Sequence, residues 1–381
     1  MRIYLDHNAT TPLRPEVLSA MARVLGSIHG NPSSVHAEGA AARAEVEAAR
    51  ESVAALVGAR PAEVVFTAGA TEANHMALLG LGPPRPGARH VVSTVIEHPS
   101  VEAPLARLEA RGFEVSRLPV DAGGRVDPEQ VAAALRPDTA LVSLIWANNE
   151  TGIVQPVEAV AALARERGVA VHSDATQIVG KHPVRLDAVP VDLLSLSAHK
   201  LGGPKGSGCL VARGGATLVP LIGGGPQERR RRGGTENVAG IAGLGVACAL
   251  ARAELAPRRA RYAALRDRLW EGLAAKVPRV RRNGAAEHAL CNTLSVAFEG
   301  VAGEVLLQAL DLEGVAVSAG AACASGSIEP SPALTAMGLS PEQARGSLRF
   351  SVGHGVDEAQ IDRVLALLPD LVARVREAAG A

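Results

Sequence analysis

Lysine is scarce in this chain. Of 39 basic side chains only Lys181, Lys200, Lys205 and Lys276 are lysine, and the rest are arginine. A composition that uses arginine almost everywhere keeps lysine where an amine is required. A guanidinium stays charged near neutral pH and forms no Schiff base, whereas an amine can do both jobs. Lys200 has the most chemical setting. It follows an apolar run at 191–196 and the tripeptide Ser197-Ala198-His199, and it precedes a glycine-rich loop that turns apolar again at 209–212. Ser197 and His199 set hydrogen-bonding groups suited to a phosphate beside that amine. The combination points to pyridoxal phosphate, a cofactor usually held through a lysine imine. Lys205 reads as a solvated loop cation. The loop is not a nucleotide P-loop, because Lys205 is followed by Gly206 and not by Ser or Thr.

Other polar groups fall at the predicted ends of strands. Gly69-Ala70-Thr71 lies between a strand and a helix, where free N–H groups favour a phosphate. His98, Asn149 and Asp174 follow the runs ending near 96, 145 and 172. Each has a plain structural role open to it: Asp174 as a cap, His98 as a core imidazole, Asn149 in a turn. As a set they offer what pyridoxal phosphate needs: a carboxylate for the pyridine nitrogen, donors for the phenolic oxygen, a flat group over the ring and an anchor for the phosphate. Arg349, in SLRFS, sits among apolar residues and calls for an anion. A substrate carboxylate and an internal Asp or Glu are equally good candidates.

Four cysteines are present, with no CxxC pair. Cys209, Cys248 and Cys291 lie in apolar segments and read as inert small hydrophobes. Cys323 differs. It lies in SAGAACASGS, a stretch of small residues expected to be an accessible, mobile loop, which suits a reactive thiol.

The elements that must position these groups alternate. Strands are predicted at 64–67, 90–95, 114–118, 139–145, 169–173, 191–196 and 208–212, with helices at 99–111, 127–136 and 156–167 between them. That order predicts an α/β fold with a mainly parallel sheet flanked by helices. Before it, YLDHNATTPL reads as a polar lining segment, and helices are predicted from Pro15 to Leu25 and up to Val57, the latter closed by Gly58. A helical stretch from Val238 to Lys276 is expected to kink or break at Pro257. Strands at 294–298, 315–318 and 348–351 with helices at 303–312 and 357–377 then form a smaller α/β unit. The division expected is 13–250 for the large unit, with 1–12 and 251–381 forming the small one, which carries the Cys323 loop.

Composition excludes some functions. The chain has 381 residues and balances 39 acidic against 39 basic groups, so no charge excess points to nucleic acid. Aromatic residues make up only 2%, too few for base-stacking surfaces. No apolar run approaches a membrane span, and MRIYLD is not a signal peptide. Scattered cysteines fit a reducing cytoplasm and neither disulfides nor a metal centre.

Ten motifs occur in the order seen in one family: YLDHNATTPL, GNPSSVH, AGATEANH, IEHPSV, NNETG, HSDATQ, SLSAHKLGGPKGSG, RRGGTENV, SAGAACASG and RFSVG. In these the chain resembles the cysteine desulfurases, fold-type I pyridoxal phosphate enzymes of the class V aminotransferase group. The resemblance implies that Lys200 carries the cofactor, His98 stacks on its ring and moves protons, and Asp174 and Gln177 face its nitrogen and phenolic oxygen. It implies that Asn149 borders cofactor and substrate. Ala70, Thr71, Ser197 and His199 would hold the phosphate, with Thr235 supplied by the other subunit of a homodimer. Arg349 would bind the carboxylate of L-cysteine, and Cys323 would take its sulfur. The long stretch after Cys323 resembles the branch with a long cysteine loop. Arg230 and Gly233 depart from the family's basic loop. Members that serve an iron–sulfur scaffold often carry a longer tail beyond the last helix, which counts against docking through such a tail here.

The activity implied is conversion of L-cysteine to L-alanine, with the sulfur passed as a persulfide to an iron–sulfur scaffold or a thiolation protein. Selenocysteine lysis or transamination on the same fold is the enzymatic rival, and transamination needs no loop thiol. A non-catalytic sulfur-binding scaffold is the rival outside catalysis, and it would not need Lys200, Asp174, His98 and Cys323 together.

Overall fold

The computed structural model describes residues 2–80, 87–214, 216, 218–319, 330–378 and 380. In chain order the strands are β1 (Ile3–Tyr4), β2 (Val64–Thr67), β3 (His90–Thr94), β4 (Glu114–Leu118), β5 (Thr139–Ile145), β6 (Ala170–Asp174), β7 (Leu193–Ser197), β8 (Gly208–Ala212), β9 (Val280–Arg282), β10 (Thr293–Phe298), β11 (Val315–Ala316), β12 (Ser318–Ala319) and β13 (Ser347–Ser351). Seven of them form one sheet in the order β2-β8-β7-β6-β5-β3-β4. Only β8 runs against its neighbours, and the remaining pairs from β7 to β4 are parallel.

The apolar runs that marked these strands have a physical cause. Val64, Phe66, Val142, Leu144, Leu194 and Leu196 bury into one core. The intervening Val65, Leu141, Leu193 and Leu210 bury into another. A sheet covered on both faces needs apolar residues at consecutive positions, not alternate ones. On one side, helix Ala37–Val57 packs on helix Val238–Ala253. A Cβ at Gly245 would lie 2.6 Å from Ala49 Cα, so only glycine permits that approach. Helix Ala37–Val57 ends at Gly58 with φ 70, as expected, and His36 caps its start through Nδ1.

A third core gathers Ile3 and Leu5 with residues between Tyr262 and Val375. It lies against the four-stranded sheet β12-β13-β10-β9. The stretch expected at 315–318 is two strands, not one. β11 pairs in parallel with β1, whereas β12 joins β13. The break in the long helical stretch falls at Glu254 and not at Pro257, and the two helices meet there at 76°. Pro257 is the third residue of the second helix, where its missing N–H costs no intrahelical bond. Glu254 instead binds Arg14 (2.9 Å) and Arg258 (2.6 Å), which ties the corner to the N-terminal segment. Among the described residues no single helix is long and apolar enough to cross a membrane.

Candidate active site

The carboxyl ends of the parallel strands, the start of helix Ala70–Gly80 and the segment at 8–10 enclose a cavity of ≈ 950 Å³. At one end, β2 leads through Gly69 into the helix. Gly69 has φ 154, a conformation side-chain-bearing residues rarely adopt. It places the first helical N–H groups, of Ala70 and Thr71, at the cavity beside Ser197 and His199 from the end of β7. His199 Nδ1 lies 3.1 Å from Thr10 Oγ1. Burial first, and the nearby Lys200 second, lower His199 to about 4, so its imidazole is neutral and can offer an N–H.

Deeper in, Asp174 closes β6 and is buried. Its oxygens accept from Asn74 Nδ2 (2.8 Å) and from the Thr176 N–H (3.0 Å). These partners are neutral, so the carboxylate keeps its charge available for a cationic group. Asn74 also donates to Ser100 Oγ (2.9 Å), which meets His98 Nδ1 at 2.7 Å. The Ser100 N–H donates to the same nitrogen, since His98 caps the helix Pro99–Glu109. Nδ1 therefore accepts, and the proton of the neutral ring sits on Nε2. Burial chiefly, and Lys200, hold the His98 pKa below its ordinary value, although Asp174 acts in the opposite sense.

Lys200 Nζ donates to the carbonyls of Asn8 (2.5 Å) and Ala9 (2.7 Å). Gln177 Nε2 donates to the same Asn8 carbonyl at 2.9 Å. Asn8 uses each of its polar atoms. Its N–H donates to Ser351 Oγ, its Nδ2 to Thr293 Oγ1 and the Asn149 carbonyl, and its Oδ1 accepts from Asn292 and Lys181. Arg349, on β13, lies almost wholly buried at the cavity wall. Its Nη2 pairs with Asp6 at 2.6 Å and its Nη1 donates to the Asn149 carbonyl at 2.9 Å. The internal ion pair is thus present, and among the described residues the buried Nε has no partner.

The cavity brings together Ala70, Thr71, His98, Asn149, Asp174, Gln177, Ser197, His199, Lys200 and Arg349. Lys205 also lines it, from an exposed position. Thr235 does not line it and is exposed. Cys323 lies outside the described residues. Cys209 and Cys248 are buried in the core and do not line the cavity, and burial pushes Cys248 up to about 12 and Cys209 well above the usual thiol value. Burial also raises Cys291, against the pull of Lys181.

Sequence reasoning missed Asp6, Asn8, Asn74 and Lys181. Asn74 stands one helical turn after Ala70, a spacing that directs it under the same helix start. Lys181 had a signal of its own, since lysine scarcity applies to it as fully as to Lys200.

Known proteins resemble this chain along nearly its whole length. Residues 3–364 match the family described as Aminotransferase class-V. A cysteine desulfurase of Cereibacter sphaeroides is 47% identical over 98% of this chain and 97% of its own length. A solved structure described as a NifS-like protein superposes with a TM-score of 0.91 at 36% identity, covering 98% of this chain and 100% of that one. Another, described as SspA in complex with cysteine, gives 0.82 at 36% identity, over 92% of this chain and 99% of that one. With the polar cavity at the strand ends, these likenesses leave one assignment: the chain belongs to the class V aminotransferase family and, within it, to the cysteine desulfurases.

Proposed function

We propose that this protein removes sulfur from L-cysteine, releasing L-alanine and passing the sulfur on as a persulfide, with pyridoxal phosphate as cofactor. The observation that carries the reading is the donor set of one cavity. A buried carboxylate with neutral partners, a helix start with free N–H groups and an amine stand around a single space. That set fits the cofactor: Asp174 for the pyridine nitrogen, Gln177 for the phenolic oxygen, His98 for the ring face, Lys200 for the covalent link. Ala70, Thr71, Ser197 and His199 would hold the phosphate. When bound, pyridoxal phosphate supplies an electron sink for bond changes at the substrate Cα.

The chain's own groups do the rest. Arg349 offers Nε to the substrate carboxylate, beside an Asn149 whose backbone it already holds. His98, neutral with its proton on Nε2, and the Lys200 amine carry protons within the cavity. The Cys323 thiolate forms an S–S bond to the substrate sulfur as the C–S bond breaks. The carbon keeps the electron pair and takes a proton, giving alanine.

The reading includes a homodimer in which Thr235 reaches the partner's phosphate site. Its exposure, with Leu221 and Ile222 at the cavity mouth 42% and 44% exposed, supports this. The separate cores support a large unit at 13–250 and a small one formed by 1–12 and 251–381. An iron–sulfur scaffold or a thiolation protein in a reducing cytoplasm is the acceptor proposed, and the free thiols Cys209, Cys248 and Cys291 suit that compartment. The test is to load the purified protein with pyridoxal phosphate and L-cysteine, then assay alanine and locate the persulfide by mass spectrometry. Alanine with persulfide on Cys323 is expected, and Cys323→Ser should bind cofactor but release almost no alanine. No alanine from the wild type, or a fully active Cys323→Ser, would overturn it.

A further inference from the structure

Lys181 is buried without a carboxylate beside it. It is 5% exposed, and among the described residues it forms no ion pair. Of the groups that act most strongly on it, Lys200, Arg349 and Arg258 are cationic and Cys291 favours its charge only as a thiolate, and His7 also faces it. Burial chiefly, and Lys200 next, bring it down to about 7. An apolar side chain would fill that place at lower cost. What the amine does there is donate: its Nζ lies 2.9 Å from Gln177 Oε1 and 3.5 Å from Asn8 Oδ1.

The two ends of a glutamine amide have nearly the same shape, and only partners decide which faces where. At Gln177 the oxygen end meets a donor, Lys181, and the nitrogen end meets an acceptor, the Asn8 carbonyl. That carbonyl also receives Lys200 Nζ. The amide nitrogen and the reactive amine are therefore referred to one backbone oxygen. We propose that Lys181 is a positioning residue: by donating to Gln177 Oε1 it holds the Gln177 amide nitrogen toward the cavity and toward Lys200. An amine has at least two N–H groups whether protonated or not, so the bond to Oε1 survives its titration. Without it, Gln177 Oε1 is left unpaired in a buried place and the amide is free to turn over. The inference rests on the cofactor reading above, because the group that Gln177 faces is the phenolic oxygen of pyridoxal phosphate.

The test uses cofactor spectra of the full chain, not turnover. Apoprotein of the wild type, Lys181→Met, Lys181→Gln, Gln177→Ala and the Gln177→Ala/Lys181→Met pair is titrated with pyridoxal phosphate, and the visible band of each loaded form is followed with pH. Lys181→Met should weaken cofactor binding by up to about tenfold and move the pH midpoint of the band by about one unit. Lys181→Gln keeps an N–H donor without the charge and should recover most of that shift. In the Gln177→Ala background, Lys181→Met should add less than about a third of its effect in the wild type. An equal shift in both backgrounds, or a Lys181→Gln indistinguishable from Lys181→Met, would show a charge effect alone and overturn the proposal. A wild type with no visible band would instead overturn the cofactor reading. A normal wild type with Lys181→Met unchanged removes only the role of Lys181.

Discussion

Two walls face each other across the cavity, and they are built differently. The sheet wall runs Asp174, Asn74, Ser100, His98, joined in turn by hydrogen bonds, two of them between Ser100 and His98. Its members sit at strand ends or helix starts, positions set by local geometry. The opposite wall is Asp6, Asn8, Asn149, Asn292, Thr293, Arg349 and Ser351, joined by bonds between residues hundreds of positions apart. Asn8 alone satisfies both sides, holding Lys200 and Gln177 through its carbonyl and the small sheet through its side chain and N–H. The sheet wall is a run of near neighbours, whereas most bonds of the second pass through Asn8, with Arg349 tying Asp6 and Asn149 separately.

The largest effect should come from the amine between the walls. Lys200→Ala should cut alanine formation by about 10³-fold or more, read in a turnover assay, while the phosphate-binding end still retains cofactor. Activity within tenfold of the wild type would place the chemistry on another lysine. On the sheet wall, Asp174→Ala should cost about 10²-fold, since the pyridine nitrogen loses its counter-charge. A surface control such as Glu158→Ala should change little, and equal losses from both would remove the distinction.

Asn8→Ala sharpens the comparison, because it strikes the second wall alone. It removes the hydrogen bonds of the Asn8 side chain to Thr293, Asn149, Asn292 and Lys181, so the protein should lose about 2–4 kcal/mol of stability in denaturant unfolding. Activity should fall roughly tenfold, because the backbone carbonyl that Lys200 and Gln177 share stays in place but loses the side-chain bonds that fix its position. If Asn8→Ala keeps full stability, the wall is not held by that residue.

The smallest effect concerns a carboxyl behind the sheet wall that takes no part in the chemistry. Burial raises Glu97 to about 8, against the pull of its bonds from Thr94 and the Ile145 N–H. Among the described residues its Oε2 has no partner, which suits a protonated acid. A folded pKa above the unfolded value means the folded state binds the extra proton. Its contribution is full below about 4.5 and declines as pH rises through about 8. Glu97→Gln should flatten that decline, by up to roughly 4 kcal/mol across the window, with activity nearly unchanged. Melting temperatures measured between pH 5 and pH 9 decide it: parallel curves for the two proteins would mean Glu97 is ionised throughout.

How much could be read in advance follows the same division. Strands β5 and β8 stand where the apolar runs put them, since a sheet buried on both faces demands such runs. Asp174, His98 and Ser197 were legible because a polar residue directly after a buried strand has few places to go but the sheet's carboxyl edge. Arg349 was legible as a buried cation but not in its partner. Asp6 lies 343 positions away, and no local pattern joins them.

The sequence by itself determined the α/β alternation, the residues at the strand ends and the family, because these depend on periodicity and on short motifs. Tertiary structure alone decided that Asn8 is the joint of the cavity, that Lys181 points at Gln177, and that the long helix breaks at Glu254 and not at Pro257. Each of those depends on which distant groups meet. A buried donor or acceptor must find a partner wherever the fold places one, and a proline matters only if its missing N–H was needed.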